Sequence, residues 1–177
     1  SSGFAGLASA PQTVHLAVTR DITQRKSMED QVRQLAFHDP LTGLPNRRLL
    51  NDRLDHLLAT TRRSGSYSAL MFLDLDNFKP LNDSYGHKVG DLLLVEVGRR
   101  ISSCIRAIDT VARFGGDEFV ILINELNADA NKSKNHATTV AEKVRVSLSA
   151  TYELTSNDGE ISGSVEHHCT ASIGVIV

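Results

Sequence analysis

Two short stretches carry acids where a chain seldom groups them without cause. Asp74-Leu75-Asp76 closes an apolar run, and Gly115-Gly116-Asp117-Glu118 stands between a short apolar segment and a longer one. Carboxylates brought within a few ångströms repel one another, and a hard divalent cation placed between them removes that repulsion. Mg²⁺ takes one or two carboxylates and completes its shell with water and phosphate oxygens, which is the chemistry of phosphoryl and nucleotidyl transfer. Glycines beside such acids let the backbone approach a nucleotide closely, because no Cβ stands in the way. The same residues also read as solvated strand ends joined by a glycine turn. Asp74 and Asp76 share a face only while their strand stays extended.

The elements that must bring these acids together follow from periodicity. Tyr67 to Leu75 is apolar until Asp74, as suits a central strand buried on both faces. Thr110 to Phe114 and Phe119 to Ile123 flank the glycines as the strands of a hairpin. Val89, Leu93, Val97, Ile101 and Ile105 recur every fourth residue and predict one helix. Leu50, Leu54, Leu57 and Leu58 predict a second, and Ala137, Val140, Val144 and Leu148 a third. Val165, His167, Cys169, Ala171, Ile173, Val175 and Val177 alternate like one face of a single strand. Asp39-Pro40-Leu41-Thr42-Gly43-Leu44-Pro45-Asn46 is dense in breakers and caps and stops a charged helical rod before it. That rod carries Met28, Val32 and Leu35 as a narrow seam suited to pairing with another helix. Helices interleaved with strands, one connection being a tight hairpin, predict an α/β (α+β) fold: a mixed, mainly antiparallel sheet with helices packed on it.

The bulk numbers set the bounds. A chain of 177 residues, 41% hydrophobic and 23% charged, is enough for one domain with a core plus some extra. A net charge of −2 excludes a nucleic-acid polymer or an anionic membrane as the partner of the whole surface, while leaving room for a local anion site. No apolar run reaches the length of a membrane-spanning helix and no secretory signal opens the chain. The expected location is cytoplasmic, with no membrane contact in this segment and any tether outside it. Cys104 and Cys169 match no metal or redox spacing and read as buried free thiols in a reducing compartment.

"RFGGDEF", Arg113 to Phe119, resembles the signature of the GGDEF family, the diguanylate cyclase domains. "FLDLDNFKPLNDSYGHKVGD", Phe72 to Asp91, resembles that family's nucleotide and metal segment. "HDPLTGLPNRRLL" is similar to its opening motif and "TASIGV" to a late core strand, all in the family's order. The resemblance implies a palm-like fold related to nucleotide cyclases and polymerases, and condensation of two GTP to cyclic di-GMP with release of pyrophosphate. It implies that Asp74 and Asp117 are metal ligands, helped by the Leu75 carbonyl, with Glu118 as an additional ligand, for two Mg²⁺ or Mn²⁺ ions per active site. Asp74, Asp117 and Glu118 would then be the catalytic acids. Phe78 and Lys79 fall where the family presents backbone amides and a basic side chain to the phosphates, and Gly115 and Gly116 complete the substrate site. Asn82 and Asp91 match the guanine-reading positions. Asp91 can accept from N1–H and the exocyclic amine of guanine, a pair of donors adenine lacks. It also reads as a helix N-terminal charge, and both roles can hold.

Arg106-Ala107-Ile108-Asp109 resembles the family's RxxD site, where cyclic di-GMP binds and inhibits; the alternative is a surface ion pair. Because one protomer holds one GTP, the resemblance also implies a homodimer, formed through the N-terminal helix with active sites face to face. "VTRDITQRKSMEDQ" resembles the last strand and exit helix of a PAS sensor. Residues 1–22 therefore read as the remnant of a PAS-like sensor, 23–37 as a signalling helix and 38–177 as the GGDEF domain. Family members usually continue past the "SIGV" strand with a Lys- and Arg-bearing helix and a closing strand, so the domain's C-terminal end is expected beyond Val177. Two other functions stay open: a catalytically silent cyclic di-GMP receptor using Arg106 and Asp109, and a GTP-binding regulatory domain of a longer protein with a phosphodiesterase (EAL) domain.

Overall fold

Alternation along the central strands decides the layering. In the computed structural model, which describes residues 25–29, 31–155 and 164–177, the chain divides into two compact units, Ser1–Ala36 and Phe37–Val177. Helix α1 is formed at 25–29 and 31–37, and its Met28, Val32 and Leu35 are 68%, 66% and 71% exposed. The PAS-like strand expected before it lies outside the described residues.

In the second unit α2 (Arg47–Ser64) is capped by Asn46, whose side chain accepts from the Arg48 and Leu49 amides, and is closed by Gly65 in the left-handed region. It is followed by β1 (Ala69–Leu75), α3 (Phe78–Tyr85), α4 (His87–Cys104), β2 (Thr110–Gly115), β3 (Glu118–Ile123), α5 (Ala130–Ser149), β4 (Tyr152–Leu154), β5 (Val165–His167) and β6 (Ala171–Ile176). The main sheet has the order β2-β3-β1-β6, antiparallel at every pairing, and β4 and β5 form a separate ribbon. This is the palm-like sheet expected, a split β-α-β-β-α-β arrangement with the hairpin inserted beside β1.

Met71, Leu73, Phe119, Ile121 and Ile123 point to one face and pack with Leu93, Val97 and Ile101 of α4 and Ala137, Val144 and Leu148 of α5. On the other face Ala112, Val120 and Leu122 meet Leu50 of α2. The fourfold spacing read along α4 holds for Val89, Leu93, Val97 and Ile101, all buried, but not for Ile105, which follows the helix as its extended C-cap and is only partly buried. Cys104 and Cys169 are free and buried. Among the described residues no helix is long and apolar enough to cross a membrane.

Two local expectations change, and one strand was not anticipated. β1 is buried on one face only, with Phe72 and Asp74 exposed, because α2 covers the far half of the sheet and leaves the end near Asp74 open. The alternation from Val165 to Val177 is two strands, broken at His168–Thr170, and β5 pairs with β4 while β6 pairs with β1. Tyr152–Leu154 is too short for its period to be read, yet Tyr152 is wholly buried beneath the Arg100 guanidinium, 3.7 Å from its ring. Arg100 also donates to the carbonyls of Ser147, Ala150 and Thr151, which fixes the end of α5 and the start of β4.

Candidate active site

Pairing β1 with β3 sets Asp74 directly across from Glu118, and pairing β1 with β6 sets it across from Ser172. Residues opposite one another in an antiparallel pair share a face, so the two carboxylates meet at the uncovered end of the sheet. Asp117 follows Gly116 in the turn that joins β2 to β3, and the Leu75 carbonyl closes β1 beside Asp74. Among the described residues the side chains of Asp74, Asp117 and Glu118 take part in no hydrogen bond or ion pair, and no three acidic, His or Cys side chains form a ready-made cation cage. Mg²⁺ does not need one, since it usually binds one or two carboxylates and keeps places for water and phosphate. An unengaged cross-strand pair at an open edge fits such an ion.

The turn itself is held from behind. Gly116 adopts φ 52°, the left-handed region that glycine enters without cost, and a register shift between Arg113 and Gly115 bulges the strand before it. Open space surrounds both Gly115 and Gly116, room enough for a ligand against the backbone. Arg113 donates from Nε and Nη2 to the Gly116 carbonyl at 2.9 and 2.8 Å, and from Nη1 to both oxygens of Asp39 at 3.1 and 3.2 Å. Asp39 in turn accepts from the Thr42 amide and hydroxyl, and the Arg113 amide donates to the Pro45 carbonyl. The segment 39–45, expected only to end a rod, is thus bonded to β2, the strand that leads into the glycine turn.

Burial alone would raise the Asp39 pKa, but the hydrogen bonds from Thr42 and the Arg113 guanidinium outweigh it and hold the carboxyl below its ordinary value. A depressed carboxyl contributes stability that is present above the unfolded pKa and is lost as pH falls through the folded one. Asp39→Asn is therefore expected to cost about 1–3 kcal/mol at neutral pH in urea unfolding, with the gap to wild type closing below the usual carboxylate range of about 4. A gap that stays constant down to acid pH would show that the charge of Asp39 is not what holds Arg113.

α3 begins at Asn77, a non-glycine residue at φ 61° whose side chain makes no capping bond, so its first amides keep their donors for another acceptor. Phe78, half-buried, and Lys79, exposed, occupy that first turn. Pro80 is tolerated there because its missing amide would have had no helical partner. α3 then runs against α4 so closely that a Cβ on Gly90 would lie 2.0 Å from Asn82 Oδ1. That oxygen is buried without a hydrogen-bond partner, and Asp91, exposed, follows Gly90. The two residues matched to guanine reading therefore flank one helix crossing, one of them holding an unsatisfied acceptor. Buried polar atoms are seldom left so, and a ligand donor is a direct remedy.

Arg106 and Asp109 precede β2 at its far end, roughly 17 Å of strand from the glycine turn. The Asp109 side chain is 2% exposed and its oxygens accept from Arg106 N, Nε and Nη2 and from Asn124 N. Arg106 Nη2 also donates to the Asn124 carbonyl. A carboxylate so occupied orients the guanidinium rather than offering lone pairs of its own. Arg106, with 45% of its side chain exposed, keeps Nη1 without a hydrogen-bond partner among the described residues, beside a groove of about 490 Å³ that Arg53 also lines.

Arg113, Asp39 and Gly90 are the residues that reading the sequence did not credit with a part in the site. Their signal exists only in space: a guanidinium's partners and a glycine's neighbour are set by the pairing of β2 with β3 and by the α3–α4 crossing.

Comparison with known proteins gives the family and the fold. The sequence profile described as "Diguanylate cyclase, GGDEF domain" matches residues 36–177. The bifunctional diguanylate cyclase/cyclic di-GMP phosphodiesterase MucR of Pseudomonas aeruginosa is 47% identical over 132 residues, 75% of this chain and 18% of that protein. The cyclic di-GMP phosphodiesterase PdeR of Escherichia coli is 34% identical over 155 residues, 88% of this chain and 21% of that protein. The chain thus spans about a fifth of the length of these relatives. The solved structure of the coiled coil and GGDEF domain of DgcB from Caulobacter crescentus, in complex with c-di-GMP, superposes with a TM-score of 0.74 at 29% identity, covering 92% of this chain and 81% of that one. With its signature hairpin, its paired acids and a match over most of its length, the chain belongs to the diguanylate cyclase GGDEF domain family.

Proposed function

We propose that this domain condenses two GTP molecules into cyclic di-GMP, releasing two pyrophosphates. The observation that carries the reading is Asp74 set across from Glu118, both unengaged, at the open end of the sheet beside Asp117 and the glycine turn. Asp74, Asp117, Glu118 and the Leu75 carbonyl would hold two Mg²⁺ or Mn²⁺ ions. When bound, such ions lower the pKa of a ribose 3′-OH and neutralise charge at the attacked α-phosphate and the leaving pyrophosphate.

The chain's own residues supply binding and orientation. Asn82 and Asp91 receive the guanine edge, and the uncapped amides at Phe78 and Lys79 with the Lys79 ammonium receive the triphosphate. The open backbone of Gly115 and Gly116 lets the nucleotide lie against the turn, which Arg113 keeps in place. One domain orients one GTP, so two must face each other to align each 3′-oxygen with the other's α-phosphate. The Met28, Val32 and Leu35 seam is what helix pairing would bury in such a dimer. An upstream PAS-like sensor would govern that pairing, and a GTP substrate places the domain in the cytoplasm. Incubating the longest natural form of the protein with GTP and Mg²⁺, then identifying products by mass, tests the reading; absence of cyclic di-GMP from a folded, GTP-binding protein would overturn it.

A second reading is favoured by one fact: PdeR, similar over 88% of this chain, is named a phosphodiesterase. In that case the domain binds GTP and regulates a phosphodiesterase domain elsewhere in a longer protein. The unengaged Asp74, Asp117 and Glu118 favour catalysis over it.

Product control would act through Arg106, whose guanidinium is presented by Asp109 and can grip a phosphate or a guanine Hoogsteen edge. Arg106→Ala is expected to weaken cyclic di-GMP binding roughly ten- to hundredfold in titration calorimetry while synthesis continues. Unchanged product affinity in the folded variant would remove Arg106 from the site.

A further inference from the structure

Two carboxylates stand two residues apart at the end of β1, and the structure treats them differently. The β1–β6 ladder pairs Leu75 with Ala171, and the Asp76 amide extends it by donating to the Thr170 carbonyl at 2.9 Å. Asp74, Asp76, Ser172 and Thr170 then project from the same face, by the twofold period of both strands. Asp74 is left unengaged, whereas Asp76 accepts from the Thr170 hydroxyl at 2.5 Å and from the Ser172 hydroxyl at 3.0 Å. Directly after Asp76 comes Asn77 in the left-handed region, and then the uncapped amides of α3. A non-glycine residue held in that region persists only where its surroundings over-determine it.

We infer that Asp76 is a positioning residue: latched by Thr170 and Ser172 of the "TASIGV" segment, it holds Asn77 in its left-handed turn and so aims the first amides of α3 at the substrate's phosphates. The latch also keeps Asp76 out of the cation site, leaving Asp74 as the strand's one free carboxylate there. The two hydroxyls stand at alternate positions, one of them in the break between β5 and β6, which accounts for that break: Thr170 leaves the β5 ribbon to meet Asp76. This inference rests on the proposed GTP site and deepens it.

The test measures binding of a non-hydrolysable GTP analogue with Mg²⁺, and of Mn²⁺ alone by electron paramagnetic resonance, with thermal unfolding as a check on folding. Thr170→Val and Asp76→Asn are each expected to lower analogue affinity about tenfold, the scale of one lost charge-assisted hydrogen bond. Thr170→Ser, which keeps the hydroxyl, should bind as wild type. The double variant should be no weaker than Asp76→Asn alone, since both changes break one latch. Mn²⁺ binding without nucleotide should survive Asp76→Asn. Loss of Mn²⁺ binding in Asp76→Asn with full analogue affinity in Thr170→Val would overturn the inference and make Asp76 a metal ligand. Wild-type affinity in both single variants would overturn it too. A wild-type protein that fails to bind the analogue at all would instead refute the proposed GTP site, and this inference with it.

Discussion

Asp117→Asn is expected to stop cyclic di-GMP formation while the domain stays folded. Asp117 sits in the β2–β3 turn and its side chain has no partner among the described residues, so the change removes no hydrogen bond or ion pair seen there. Asn is as welcome as Asp in a hairpin turn, because both tolerate the backbone conformations such turns need. Folding stability should therefore move by less than about 0.5 kcal/mol. Activity has no such protection. An amide cannot replace an anionic oxygen facing a divalent cation, and losing one preorganised group aimed at developing charge typically costs about 10²–10³ in rate. Asp74→Asn should behave alike, since Asp74 is the other half of the cluster across from Glu118. The decisive measurement pairs product formation by mass with urea unfolding of the same sample. Near wild-type synthesis with Mg²⁺ in Asp117→Asn would sink the assignment of this turn as the metal-facing one.

Why the acids could be located in advance, and their supports could not, has a physical explanation. Val89, Leu93, Val97 and Ile101 announce α4 because a helix repeats its buried face every three to four residues, and all four are in the core. The hairpin is equally plain, since glycines between two apolar runs leave few other conformations. Period alone fails where one rhythm spans two elements. The alternation from Val165 to Val177 never falters, but the chain changes sheets at His168–Thr170, and only the pairing of β5 with β4 and of β6 with β1 shows where. It fails also for β1, whose apolar composition suggested burial on both faces. Exposure of Phe72 depends on how far α2 reaches along the sheet, a tertiary fact. Arg113 likewise could have faced solvent; that it grips Gly116 and Asp39 follows from β2 lying against the 39–45 turn. The side chains proposed to carry function are legible by type, and the groups that hold them still are not.

Gly90→Ala carries the second large effect, and it separates recognition from stability. A methyl on Gly90 would lie 2.0 Å from Asn82 Oδ1 and 2.9 Å from its Cγ, distances that cannot persist. The obstructing atoms are the tip of a rotatable side chain, so Asn82 swings aside and the backbones of α3 and α4 need not part. Alanine is also the better helix former, by roughly 0.5–1 kcal/mol over glycine in a helix interior. Thermal stability should therefore hold or rise slightly, the more so because Asn82 Oδ1 gives up a buried position in which it has no partner. Guanine recognition should suffer, since the amide no longer stands where the base arrives. Losing one or two of its hydrogen bonds lowers GTP affinity about ten- to hundredfold by calorimetry, and narrows the preference for GTP over ATP. Asn82→Ala should produce the same loss, and the Gly90→Ala/Asn82→Ala pair should be no worse than Asn82→Ala alone, because the first change acts only through the second residue. If Gly90→Ala instead bound GTP as wild type does, Asn82 would not be reading the base, and the tight crossing of α3 and α4 would be packing alone.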